Sequence, residues 1–221
     1  ATMPPKIRSF TKQILNNPVE IALEMSKPVE GVLQAVYLVY ENQKIPLINS
    51  LIKEKPEYNS ILVFSSTKRK VSEIVRGLKS KSYRTEGISS DLEQKDREEI
   101  LLQFRSRQIR VLVATDVLSR GIDIKDINLV VNYDVPGDAE DYVHRVGRTA
   151  RAETTGVALT LVNEADMPKM HRIERLIGYE VYKAPLPEQL GPGPEWKLRT
   201  TTPRDFLRKK KGGFREKKSE K

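Results

Sequence analysis

Three apolar runs constrain this chain more than anything else in it: Ile61-Leu62-Val63-Phe64, Val111-Leu112-Val113-Ala114 and Gly156 to Val162. None alternates with polar residues, as a strand covered on both faces requires, and parallel sheets are built from such strands. Between the runs the period changes. Val71, Ile74, Val75 and Leu78 fall on one stripe of a helix, and Ile45, Leu47, Ile48, Leu51 and Ile52 give Lys44 to Lys53 the same pattern. Alternating buried strands and amphipathic helices predict a doubly wound α/β fold, with a mostly parallel sheet and helices on both faces.

The remaining elements follow from local chemistry. Strands are expected at Gln34 to Tyr40, Arg84 to Ile88 and Ile127 to Asn132. Ser66 or Thr67 can cap the helix carrying the Val71 stripe. Ser90 and Glu93 have capping-box spacing, which predicts a helix from there to about Phe104. A short helical turn is expected near Leu118, and further helices from Asp138 and from Asn163 to Asp166, the latter accepting Pro168 in its first turn. Residues 1–32, punctuated by Pro4-Pro5, Pro18 and Pro28, read as a linker at the end of a preceding domain. One compact domain is expected over 33–185. Beyond Pro185, a Pro/Gly-rich stretch opens a flexible tail over 186–221.

Two segments carry the chemistry. The Val111 run breaks into Thr115-Asp116-Val117-Leu118-Ser119-Arg120-Gly121-Ile122-Asp123, a hydroxyl, two carboxylates, an Arg and a Gly at the carboxyl end of a strand. Ligands of open parallel sheets collect at that edge. The second segment, Tyr142 to Arg151, sets Arg145, Arg148 and Arg151 three residues apart beside His144. That spacing places guanidinium groups along one helix face, and their planar forks suit phosphate oxygens. A solvated basic face and an internal salt bridge from Arg145 or Arg120 to Asp116 or Asp141 are the plainer readings.

In this order and separation, T-D-x-x-x-R-G-x-D and Y-V-H-R-x-G-R-x-x-R resemble motifs V and VI of the DEAD-box RNA helicases, and His144 at the head of the second favours that branch over the DEAH type. Val63 to Thr67 resembles motif IV, Gln94 with Arg97 resembles the Q-x-x-R element, and Ala1-Thr2 resembles the end of the Ser-Ala-Thr motif closing the first helicase domain. The likeness covers residues 1 to about 185, with Glu86-Gly87 standing where many members have His-Gly. It implies the second, RecA-like half of an ATP-dependent RNA helicase.

By the same resemblance, Arg148 and Arg151 act as arginine fingers toward the γ-phosphate of Mg-ATP, which the first half mainly binds. His144 couples the nucleotide and RNA sites, and Asp123 with Gly121 approaches the ribose. Thr115 and Arg97 touch the RNA backbone, with Gln94, Gly87 and Thr67 as neighbours. No G-x-x-x-x-G-K-[ST] loop and no Asp-Glu-Ala-Asp string occurs in these 221 residues, so ATP turnover is expected of the longer parent and not of this chain alone.

Charge is concentrated at one end. From Pro192 to Lys221 there are 11 Lys and Arg against 4 Asp and Glu, +7 of the total +9, with Lys209, Lys210 and Lys211 at the centre of the run. A cationic arm of this kind binds RNA by releasing counterions, without reading bases. It also resembles the basic extension of bacterial RhlE-type helicases, for which ribosome assembly or RNA turnover are the typical settings. With no Cys and two His, neither a disulfide framework nor a zinc site is expected, and no run of about 18 apolar residues suggests a membrane span. A cytoplasmic location fits. The competing reading is a stand-alone RNA-binding or partner-docking module that keeps a helicase half as scaffold.

Overall fold

The computed structural model describes residues 5–16, 31–116, 127–149 and 156–197. Their elements are α1 (Pro5–Ile14), β1 (Val32–Leu38), α2 (Lys44–Ile52), β2 (Ile61–Phe64), α3 (Lys68–Lys79), β3 (Thr85–Ile88), α4 (Gln94–Arg105), β4 (Val111–Ala114), β5 (Leu129–Asn132), α5 (Ala139–Val146), β6 (Gly156–Val162), α6 (Met167–Ile177) and β7 (Tyr182–Ala184). Seven strands form one sheet in the order β3-β4-β2-β5-β6-β1-β7, and every pairing is parallel. The carboxyl ends of all strands therefore lie along one edge.

Period-two alternation divides the core. Ile61 and Val63 of β2 join Val111, Val113, Leu129 and Val131 under α2 and α3. Leu62 and Phe64 join Leu112, Val130 and Ala158 under α4, α5 and α6, through Phe104, Tyr142 and Met170. Both faces are thus covered, and β2, β4 and β5 are buried at every position.

Several expectations change. Residues 5–14, read as linker, form α1: Pro5 at its first position costs no intrahelical bond, because the leading amides have no partner there anyway. Phe10 and Ile14, one helical turn apart, are exposed on it. Ser90 does not cap α4. The Leu92 amide bonds the Ser89 carbonyl in a turn, Asp91 pairs with Lys68 at 3.0 Å, and the helix starts four residues later with Glu93 as an N-cap that makes no side-chain bond. Thr67, not Ser66, caps α3, accepting from the Lys70 amide at 3.3 Å.

Residues 186–197 stay on the body. Leu186 and Leu190 pack against the α2 side of the core, Trp196 packs against the other cluster, and the Gln43 amide donates to the Leu190 and Pro192 carbonyls at 2.8 and 3.1 Å. Gly193 lies so close to Leu38 that any side chain would collide with the Leu38 carbonyl. The helical turn near Leu118 and residues 198–221 lie outside the described residues.

Candidate nucleotide and RNA interface

Three neighbouring strands, β3, β4 and β2, end beside one another, and the polar residues read from sequence follow directly. Thr67 caps α3 just past β2, and Thr115 and Asp116 follow β4. Gln94 and Arg97 lie in the first turn of α4, just past β3. With strands about 4.8 Å apart, these positions span roughly 10 Å along the edge. Gln94 is exposed and donates to Glu98 at 2.8 Å, while Arg97 is braced by the Ser90 carbonyl at 3.2 Å. Gly87 has a packing reason to be glycine: a Cβ there would lie 2.8 Å from Val71 and 3.0 Å from Val75 on α3.

α5 supplies the second group. Asp138 caps it, accepting from the Glu140 amide at 3.1 Å, and Tyr142, Val143, Arg145 and Val146 are buried. His144 and Arg148 are four residues apart on the opposite side and half-exposed. Arg148 follows Gly147 in a tight turn, its amide bonding the Arg145 carbonyl at 3.1 Å. Arg145 therefore does not share the expected guanidinium face with Arg148, because it turns inward. Arg151, Gly121, Asp123, Arg120 and Lys209 to Lys211 lie outside the described residues.

Arg145 is 2% exposed. Its Nε and Nη2 each reach an Asp116 carboxylate oxygen at 2.6 Å, and Nη1 donates to Asn132 Oδ1 at 3.1 Å and to the Asp134 carbonyl at 2.9 Å. The guanidinium lies over the Phe64 ring, 4.9 Å from its centroid. The internal salt bridge is what this Arg makes, and it ties the residue after Thr115 to the helix that carries His144 and leads into the Arg148 turn.

A second buried network went unread in the sequence. Asp134, two residues past β5, accepts from the Ser66 amide and hydroxyl at 2.8 Å each, from Lys70 at 2.6 Å, from Ser65 at 3.2 Å and from Lys44 at 3.4 Å. Lys44 is fully buried and also meets Glu41 at 2.9 Å. Burial alone would raise the Asp134 pKa. The Lys70 and Ser66 hydrogen bonds and the Lys44 charge outweigh it and hold the carboxyl well below the usual carboxylate range. Beside it, burial and the charges of Glu41 and Asp134 push the Tyr133 hydroxyl well above its ordinary value. The one sequence signal was position, since Asp134 follows a buried strand just as Asp116 does.

An all-parallel sheet with basic and hydroxyl groups gathered on its carboxyl edge, and a helix-borne His and Arg tied to that edge by a buried ion pair, defines a RecA-like helicase half. The match to the helicase conserved C-terminal domain over residues 43–153 makes the family explicit: the chain belongs to it, and it is a C-terminal domain of the DEAD-box kind. It is 40% identical over 177 residues to the DEAD-box ATP-dependent RNA helicase CshA of Geobacillus kaustophilus, covering 79% of this chain and 38% of that protein. Over 187 residues it is 34% identical to ATP-dependent RNA helicase eIF4A of Eremothecium gossypii, covering 84% and 47%. Among solved structures, S. cerevisiae Dbp5 bound to RNA and ADP BeF3 superposes with a TM-score of 0.73 at 28% identity, over 83% of this chain and 49% of that one. The chain thus spans less than half the length of these curated relatives.

Proposed function

We propose that this domain is the second half of an ATP-dependent RNA helicase, completing a nucleotide site and an RNA site that a first RecA-like half begins. The observation that carries the reading is the bidentate Arg145–Asp116 pair, which joins the Thr115 loop to the turn that presents Arg148. The donor set fits part of a triphosphate site. A half-exposed guanidinium on a rigid turn can meet phosphate oxygens, while the phosphate loop has to come from the other half. Bound Mg-ATP supplies a γ-phosphoryl group on which charge builds during transfer.

Arg148, with Arg151, would meet those oxygens and stabilise that charge, a contribution of about 10³ to 10⁵ in rate in well-measured nucleotide hydrolases. Asp123 and Gly121 would serve the ribose, and His144 would link the two sites. Thr67, Gln94, Arg97 and Thr115, with Gly87 among them, hold the sugar-phosphate backbone of RNA, which positions a strand without reading its sequence. Lys209, Lys210 and Lys211 add a salt-sensitive contact. CshA and eIF4A are named as ATP-dependent RNA helicases and Dbp5 is bound to RNA and a nucleotide analogue, which supports both ligands here. The parent would separate short duplexes locally and remodel RNA–protein complexes in the cytoplasm. The basic extension supports a place near the RhlE-type subgroup and a role in ribosomal or RNA-turnover assemblies.

The test is RNA-stimulated ATP hydrolysis by the full-length parent, comparing wild type with Arg148→Ala at saturating ATP and RNA. Turnover is expected to collapse at least 100-fold, on the order of one lost oxyanion-stabilising donor, with RNA binding retained. Near-normal turnover would make the stand-alone binding module the better account.

A further inference from the structure

One ion pair joins the segments that follow β2 and β3. Lys68 Nζ meets Asp91 Oδ1 at 3.0 Å, and β4 lies between those two strands in the sheet. The pair thus links the two strands that flank the one leading into Thr115, and each of its ends sits beside residues read as RNA contacts. Lys68 directly follows Thr67, and Asp91 lies in the turn ahead of Gln94 and Arg97. An RNA backbone that touches Thr67, Thr115 and Arg97 has to share this place with the pair.

Fold stability gives little reason for it. Both side chains are largely exposed, at 64% and 59%, and such pairs contribute little because water and salt screen them. A cation in the first turn of a helix also opposes the helix dipole, yet α3 opens with Lys68, Arg69 and Lys70 and has no acid in that turn. Arg69 is taken by Glu73, and Lys70 by Asp134 and Glu41. Lys68 is the one of the three whose partner lies on the turn ahead of Arg97.

That turn leaves Arg97 incompletely satisfied. Its Nη2 donates to the Ser90 carbonyl at 3.2 Å, while its Nε is buried and has no acceptor among the described residues. A buried donor without an acceptor is unfavourable, and an anion arriving at the turn would supply what is missing.

We propose that Lys68 is a further phosphate-binding residue and that Asp91 is its latch, standing where a phosphate oxygen stands once RNA is seated. An ammonium donates equally well to a carboxylate and to a phosphate. In the free protein Asp91 takes Lys68 and also repels approaching phosphate. A seated strand puts a phosphate in its place and frees the turn that carries Asp91. The latch rests on the RNA reading proposed above.

The experiment measures binding of a short oligouridylate by the full-length parent across a range of salt, with a non-hydrolysable ATP analogue at saturation. Asp91→Asn should tighten binding about two- to fivefold, the range that release of an exposed pair can give. Lys68→Gln should weaken binding and lower the log–log salt slope by about 0.7, the value of one phosphate contact, while Lys68→Arg keeps the slope. In the Lys68→Gln background Asp91→Asn should add little, because no cation is left to release. Both side chains are largely exposed, so neither exchange endangers the fold.

An unchanged slope in Lys68→Gln, or weaker binding by Asp91→Asn, would overturn the latch. Equal gains from Asp91→Asn with and without Lys68 would overturn it too, leaving Asp91 as a repelling charge alone. No binding of the oligouridylate by wild type would instead defeat the RNA reading on which the latch rests.

Discussion

Replacing Arg145 with Met keeps most of the apolar stem over Phe64 and removes four hydrogen bonds at once. Three acceptors are left behind. Fully buried Asn132 loses the bond to its side-chain oxygen while its amide keeps the one to Thr160, the Asp134 carbonyl loses its bond from Arg145, and Asp116 loses both contacts to Arg145. Each neutral buried acceptor left unpaired costs about 1–2 kcal/mol. Asp116 is 30% exposed, so water can reach part of its carboxylate and its penalty stays below that of a sealed charge. The total is about 3–5 kcal/mol, in the range for breaking one side of a buried pair. In urea at pH 7, with a slope of roughly 2 kcal/mol per molar, the unfolding midpoint should fall by about 1.5–2.5 M. Adding Asp116→Leu removes the carboxylate that Arg145 had paired, so the double variant should be more stable than the sum of the two losses by about 1 kcal/mol or more. A midpoint shift below about 0.5 M, or strict additivity, would refute the account of Arg145 as a buried hub.

Asp134 gives a pH prediction. Its folded pKa lies below the unfolded value of about 3.9, so the unfolded chain binds more protons in between. The stability it contributes is therefore full above about pH 5 and is lost as pH falls below 4 toward the folded pKa. Asp134→Asn should start less stable at pH 7 and show a shallower acid slope, with Glu41, also lowered, accounting for some of the remainder; equal slopes would contradict this. Gly87→Ala, which forces a methyl against Val71 and Val75, should lower stability by about 1–3 kcal/mol in the same urea assay, and an unchanged midpoint would remove the packing reason for that glycine. Deleting residues 198–221 should flatten the salt dependence of RNA binding, since each phosphate contact on a single strand contributes about 0.7 to the log–log slope; an unaltered slope would show the tail to be a spectator.

Much of the scaffold was legible because buried parallel strands announce themselves. The bounds of β2 and β4 coincide with uninterrupted apolar runs, and those of β6 with a run broken by Thr160. Local signals failed where tertiary bonds competed with them. Ser90 and Glu93 have capping-box spacing, yet the Ser90 carbonyl serves Arg97 and Asp91 is drawn to Lys68. Pro and Gly beyond residue 185 suggested departure from the body, whereas Gly193 is small because the chain presses on the Leu38 carbonyl. Within the site, Thr115 and the His144–Arg148 segment were readable from spacing. The fate of Arg145 was not, because α5 ends at Val146: Arg145 faces the core from the helix, whereas Arg148 lies beyond it in the turn after Gly147.

The Asp134 network was beyond local reading, since Lys44 and Lys70 reach it from 90 and 64 residues away. This network bears on how the charge of the chain works. Outside the last thirty residues the net charge is only +2, and several of the cations counted there are already paired inside: Lys44 and Lys70 with Asp134, Arg145 with Asp116, and Lys183 with Glu174. Buried ions are neutralised by their partners and contribute little field at the surface. Long-range attraction of a polyanion must then come mainly from the +7 extension, while the edge of the sheet supplies a few directed contacts whose geometry the buried pairs maintain. Raising salt should accordingly weaken encounter with RNA far more than it disturbs the arrangement of Thr67, Thr115 and Arg148, because screening acts more on exposed charges than on pairs that are largely buried.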